Sequence, residues 1–86
     1  MIDAEFRSEE RFSRLALAFT QEDEEKKINE CVKSIIEQYD FRPEIHETAT
    51  STGKKIIVIE YHDDIDREAG DIFERIIKEL DIKKCN

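Results

Sequence analysis

The chain has 86 residues, enough for one small domain whose core alone gives only marginal stability. Its 22 acidic and 14 basic residues give a net charge of −8, which repels nucleic acid and favours a basic protein partner. No apolar run approaches the roughly 20 residues that span a membrane, and two isolated cysteines, Cys31 and Cys85, predict a reduced, cytoplasmic protein.

Residues 1–11 show no clear periodicity, and we expect them to form a loose N-terminal arm. The residues from Phe12 to Phe19 alternate with a period of two, which is typical of a half-buried strand. One face of this first strand is bulky, with Leu15, Leu17 and Phe19. The other face carries Arg14 and two small residues, Ala16 and Ala18. The bulky face is therefore expected to enter the core.

Two helices are predicted, because apolar residues recur at spacings of three and four in two segments. The first helix extends from Gln21 to about Tyr39, with Thr20 as its N-cap and acidic residues in its first turn. The second extends from about Ile65 to Leu80, and an aspartate just before it can cap it. Gly70 is unfavourable inside a helix, so it is expected to mark a close contact between this helix and the sheet.

A β-hairpin is predicted between the two helices. Pro43 precedes its first strand, which alternates only weakly over residues 44–50 and is expected to begin at a sheet edge. The turn is Ser51–Lys54, where Gly53 can adopt a positive φ. The residues Lys55–Tyr61 form the strongest strand of the chain, and they are apolar on both faces. Such two-sided apolarity indicates a central position in the sheet.

These elements predict an α+β fold of order β-α-β-β-α, a two-layer sandwich with both helices on one face of a three-stranded sheet. A right-handed crossover through the first helix leaves room for the third strand beside the first, so the predicted strand order is 1-3-2. The arrangement is ferredoxin-like but lacks a full fourth strand. We expect a single domain over residues 12–82, followed by a tail over residues 83–86.

The predicted sheet leaves the edge of its first strand and one of its faces uncovered. Open edges and apolar faces are normally paired or covered, so we expect the chain to bind protein. The partner is a second copy, a similar small subunit in a heterodimer, or a larger complex. The residues expected to contact it are Arg14, Ala16, Ala18, Ile57, Ile59 and Tyr61.

The sequence shows no catalytic motif, so we expect neither an enzyme nor a bound cofactor. It has no Gly-rich phosphate loop, nucleophile elbow or His-x-x-x-His spacing. The histidines, His46 and His62, are not expected to share a metal ion, because the predicted turn pairs His46 with about Ile59. The run from His62 to Asp64 is better explained as the start of a helix than as an acid/base cluster.

Three segments carry a family resemblance. They are the strand Arg14–Phe19, the hairpin from Glu44 to Ile57, and the last helix with Asp64 at its start, Gly70, Ile72, Ile76 and Ile77. In these segments the chain resembles the small dimerisation subunit of the KEOPS complex, which makes threonylcarbamoyladenosine on tRNA in archaea and eukaryotes. The resemblance implies a three-stranded sheet with two helices on one face and a non-catalytic subunit. The family's Leu-Arg pair is replaced here by Glu68-Ala69, which implies a diverged accessory subunit that pairs with the ordinary one.

Two other classes of function remain open at the level of sequence. A ferredoxin-like regulatory module would need a ligand cleft, but no Gly-rich or convergent polar loop indicates one. A small RNA-binding domain would stack bases on aromatic residues of its central strands, where this chain offers only Tyr61 and Phe19. The prediction is therefore a protein-binding subunit, with a regulatory or RNA-binding module as the alternative.

Overall fold

The computed structural model describes residues 2–9, 11–40, 42–62 and 68–81, which contain four strands and two helices. In chain order these are β1 (Asp3–Glu9), β2 (Phe12–Phe19), α1 (Glu22–Ile36), β3 (Glu44–Ala49), β4 (Lys55–His62) and α2 (Glu68–Glu79). The strands form one antiparallel sheet of order β1-β2-β4-β3. The α+β class is as predicted, and the three predicted strands keep their relative order. The prediction of only three strands is wrong, because β1 adds a fourth.

The first strand, β1, replaces the expected loose arm. It pairs residue for residue with β2, from Asp3 opposite Ala18 to Glu9 opposite Phe12. Arg11, in the connection, has a φ of 62°, a left-handed conformation that such tight turns require. The edge of β2 that was expected to be free is therefore covered by the chain's own N-terminal strand.

The core lies between one face of the sheet and the two helices. β2 contributes its bulky face, Leu15, Leu17 and Phe19, and β4 contributes Ile57, Ile59 and Tyr61. The helices oppose them with their apolar stripes, chiefly Ile28, Val32 and Ile35 from α1 and Ile72, Phe73 and Ile76 from α2. Full burial of one such aliphatic or aromatic side chain stabilises the fold by about 1.5–3 kcal/mol. Because each helix has a single apolar stripe, each is buried against the sheet on that side only.

The ends of α1 differ from the prediction. The N-cap is Gln21 instead of Thr20, and the Glu24 carboxylate accepts hydrogen bonds from the backbone N–H groups of Gln21 at 3.2 Å and Thr20 at 3.4 Å. A side chain that reaches back in this way satisfies amides that have no partner within the helix. The helix ends at Ile36, before Tyr39. Tyr39 instead accepts a hydrogen bond from Arg75 of α2 at 3.0 Å, which ties the two helices together.

Two predictions about glycine have opposite outcomes. Gly53 has a φ of 86° in the β3–β4 turn, as predicted, and its N–H donates to the Thr50 carbonyl at 3.2 Å. The close approach expected at Gly70 is wrong, because a Cβ added there would meet no atom within 4 Å. The predicted start of the second helix, including its aspartate cap, and the tail over residues 83–86 lie outside the described residues. Within the described ranges, no helix is long and apolar enough to cross a membrane.

Candidate functional site

The residues predicted to contact a partner are divided between two faces of the sheet. The side chains of Ile57, Ile59 and Tyr61 are 3%, 0% and 0% exposed and pack under the helices. In the folded domain these side chains belong to the core and not to the open surface, although Ile57 also lines a groove between α1 and β3. Neighbouring residues of a strand point to opposite faces, which is why an apolar central strand does not imply that all of its residues are accessible.

Arg14, Ala16 and Ala18 lie on the other face of the sheet, which we call the open face because no described helix covers it. Ala16 lies opposite Val58, and Ala18 lies opposite Ile56. These four residues form a small apolar centre, and both alanines are half-buried. The charged side chains of β1 lie to one side of this centre and those of β3 to the other. The open face is therefore mixed in character, with few large apolar groups.

The two edges of the sheet differ in how they are protected. Four of the seven residues of β1 are charged, and its large apolar residue, Phe6, packs edge-on against Phe73 with ring centroids 5.5 Å apart. All six residues of β3 are exposed, and among the described residues only β4 pairs with it. Its large apolar residue, Ile45, is 54% exposed. Charges blunt a sheet edge against pairing, and β1 carries four of them against the two glutamates of β3. With the more exposed apolar residue as well, β3 is the edge more open to another strand.

A groove runs between β3 and α1, beside Ile45. Its volume is about 400 Å³, and it is lined by residues that include Val32, Lys33, Ile36, Arg42, Ile45 and Ile57. We call it the α1–β3 groove. Arg42 donates from Nη1 to the Ile36 carbonyl at 3.5 Å, which holds this side chain against the end of α1. An exposed strand edge beside an apolar groove offers both main-chain pairing and a pocket for side chains.

A cluster of two histidines and two glutamates lies at one end of the open face. Glu44 of β3 is directly opposite Glu60 of β4, and His46 and His62 follow them two residues further along each strand. His46 Nε2 lies 3.1 Å from Glu60 Oε1 and 3.7 Å from Glu44 Oε2. His62 Nε2 lies 3.4 Å from Glu44 Oε2 and 4.0 Å from Glu60 Oε1. We call these four residues the His–Glu cluster.

The reasoning from sequence missed this cluster because it placed the hairpin register one residue away from the observed one. His46 lies opposite Val58, not Ile59. A slip of one residue moves a side chain to the other face of the sheet, so the expected register separated His46 from Glu60. A signal was present in the sequence, since Glu-x-His occurs twice, at residues 44–46 and 60–62. Each repeat places its glutamate and histidine on the same face of a strand.

Two further side chains hold the cluster in place. Arg14 Nε lies 3.8 Å from Glu60 Oε2, which leaves the other oxygen of this carboxylate directed at the histidines. The Phe12 ring lies 5.1 Å from the His62 ring, with an angle of 48° between the planes. Arg14, which was predicted to contact a partner, therefore has an ion-pairing role within the chain.

We found no match to this chain among protein-family models, curated proteins or solved structures.

Proposed function

We propose that the chain is a non-catalytic protein-binding module, and that it binds an extended segment of a protein partner along β3. The observation that supports this proposal best is the combination of an edge strand whose six side chains are exposed with an apolar groove beside it. An added strand would form main-chain hydrogen bonds with β3, and its alternate side chains would enter the α1–β3 groove beside Ile45.

The position of the contact differs from the surface first expected. The edge of β2 is occupied by β1, so strand addition there would require β1 to leave. The edge of β1 carries alternating charges, and its Phe6 is held by Phe73. β3 also carries charge, in Glu44 and Glu47, but its large apolar residue, Ile45, is 54% exposed and lies beside the α1–β3 groove. The net charge of −8 favours encounter with a partner of basic overall charge, through long-range attraction.

For the identity of the partner, the resemblance to the small KEOPS subunit supports a proposal of its own. We propose that this chain is an accessory subunit of a KEOPS-type tRNA-modification complex, paired with a second copy or with the ordinary small subunit. The support is the sequence of the first predicted strand, the hairpin and the last helix. The strand β1 goes beyond the three-stranded sheet that the resemblance implies.

The first test is sedimentation velocity at micromolar concentration, with the chain alone and mixed with the small and large KEOPS subunits. We expect a species heavier than the 10.2 kDa monomer in at least one mixture. Ile45→Asp should abolish it, because a carboxylate in the apolar groove would be desolvated by the partner. Since Ile45 is exposed, this variant should remain folded.

Two matched variants locate the contact. Glu5→Gln lies on β1, at the opposite edge of the sheet, and should bind as the wild type does, because it changes only an exposed charge away from β3. Ala16→Glu with Ala18→Glu places two charges on the open face, where the partner was first expected. Loss of binding in this double variant together with normal binding by Ile45→Asp would move the interface to the open face. A monomer in every mixture would contradict the proposed function.

A further inference from the structure

We propose that the His–Glu cluster is a binding site for a divalent transition-metal ion, with Zn²⁺ as the best fit. Its ligand atoms would be Oε2 of Glu44, Nε2 of His46, Oε1 of Glu60 and Nε2 of His62. Two imidazole nitrogens and two carboxylate oxygens form a ligand set that Zn²⁺ accepts. Mg²⁺ and Ca²⁺ prefer oxygen ligands alone, so the histidines select against them.

The distances between neighbouring ligand atoms of the cluster are close to those of a tetrahedral site. The four atoms form a closed ring with sides of 3.7, 3.1, 4.0 and 3.4 Å, in the order Glu44, His46, Glu60, His62. Ligand atoms that lie 2.0–2.2 Å from a tetrahedral Zn²⁺ are about 3.3–3.6 Å from one another. The set of atoms that lie mutually within 4.8 Å does not include His62, so the exposed His46 and His62 side chains must rotate toward each other to complete a four-coordinate site. The ligand atoms of Glu44, His46 and Glu60 all lie within 4.8 Å of one another.

The charge arrangement also favours a cation. Glu44 and Glu60 are directly opposite across the β3–β4 pair, and like charges in this position destabilise a sheet. Arg14 offsets part of the charge on Glu60, but it lies on the side away from β3. A divalent ion between the two carboxylates would convert their repulsion into attraction and would link β3 to β4.

The arrangement has an approximate twofold symmetry that comes from the sequence. Two Glu-x-His repeats lie on antiparallel strands with the glutamates opposite each other, so each histidine reaches diagonally toward the glutamate of the other repeat. Both strands therefore contribute one nitrogen and one oxygen. The site is independent of the proposed partner contact, because Ile45 points to the other face of β3.

The test is isothermal titration of tag-free protein with ZnCl₂, together with thermal denaturation at increasing Zn²⁺. For this test both cysteines are replaced, by Cys31→Ser and Cys85→Ser, so that no thiol can bind the metal ion. This double variant is the parent protein of the experiment. We expect a stoichiometry of one and a melting temperature that rises with Zn²⁺ and returns with a chelator. MgCl₂ at the same concentrations should give no shift.

The variants His46→Ala and His62→Ala should each weaken Zn²⁺ binding at least about tenfold, because each removes a ligand. Their melting temperatures without metal should stay near that of the parent, since both histidines are more than half exposed. Glu47→Gln, on the opposite face of β3, should bind Zn²⁺ as the parent does. Co²⁺ should give the intense visible absorption of a tetrahedral complex, and His46→Ala should remove it.

Three results would overturn the proposal. One is the absence of Zn²⁺ binding at micromolar concentration by the parent protein. Another is binding by the double variant His46→Ala/His62→Ala that equals the parent's, which would place the ion elsewhere. The third is a rise in melting temperature with Mg²⁺ that equals the rise with Zn²⁺. This result would show that divalent cations only neutralise the acidic surface without a specific site.

Discussion

Gly53 and Gly70 have opposite backbone requirements, so alanine should have opposite effects at the two positions. Gly70 lies in α2, and an added Cβ meets no atom within 4 Å. We expect Gly70→Ala to raise the free energy of unfolding by about 0.5–1 kcal/mol, because alanine has the higher helix propensity. Gly53→Ala should lower it by about 1–2 kcal/mol, because Gly53 has a φ of 86°. Urea denaturation measures both changes. A loss of stability in Gly70→Ala would instead support the close contact between helix and sheet that the sequence predicted at this position.

Cys31 is half-buried on α1, and its environment disfavours the thiolate. Burial raises the pKa of the Cys31 thiol, and the negative charge of Glu79 on α2 raises it further. The thiol therefore stays protonated to a higher pH in the folded chain than in the unfolded chain. We expect alkylation of Cys31 by iodoacetamide at pH 8 to be slower in the native protein than in urea. The experiment uses Cys85→Ser so that one thiol is present. Equal rates after correction for urea would contradict the raised pKa.

The His–Glu cluster shows which features of a site can be predicted from sequence. The face of a strongly alternating strand can be predicted, but the register of a weakly alternating one cannot. The side chains of Arg14, Ala16 and Ala18 were placed on the correct face because β2 alternates strongly between bulky and small residues. β3 alternates weakly, so nothing in its own sequence fixes its register against β4. The register depends on the Thr50–Lys54 turn, where the Thr50 N–H donates to the Lys54 carbonyl at 2.7 Å. The cluster thus depends on a turn geometry that the sequence alone did not determine.

At the level of elements, β1 protects the edge of β2, and its removal should expose that edge. Deletion of residues 2–9 would remove the strand that pairs with residues 12–18 of β2 and the ring contact between Phe6 and Phe73. We expect a lower melting temperature and association that increases with protein concentration, because an uncovered central strand can pair with another copy. Circular dichroism and light scattering follow the two effects.

A substitution inside β1 serves as a control for this deletion. Glu5→Gln removes one exposed charge but leaves the backbone pairing intact. It should not cause association. If the deletion variant melts at the wild-type temperature and stays monomeric, β1 does not contribute to the sheet in solution.

The failure to predict β1 has a physical explanation in its composition. Ala4 and Phe6 are too few apolar residues to establish a period of two, and the rest of the segment is rich in residues of low strand propensity. Its pairing with β2 supplies the stability that its own sequence lacks. The predictions of β2, β4 and both helical stripes succeeded because those elements bury a continuous apolar face. The secondary structure of a segment at the margin of the core, such as β1, therefore depends on the strand with which it pairs.

At the scale of the whole molecule, the excess of negative charge opposes folding. A compact chain with net charge −8 brings like charges together, and salt screens their repulsion. Exposed ion pairs, such as that between Lys54 and Asp3 at 3.2 Å, contribute little individually. We therefore expect the melting temperature to rise as NaCl increases from about 20 to 500 mM, within the range over which screening changes most. A falling melting temperature would show that the ion pairs outweigh the repulsion.

The sheet order β1-β2-β4-β3 also determines how the chain reaches this structure. The outer pairs, β1–β2 and β3–β4, are hairpins closed by short connections, but the central β2–β4 pair joins strands separated in sequence by α1 and β3. Closing this long loop costs chain entropy before any core contact repays it, so the central pairing should be the slow step of folding. In stopped-flow urea experiments, Ala16→Gly in β2 should then mainly slow refolding. Gly70→Ala in α2 should mainly slow unfolding, because α2 packs onto a sheet that has already formed.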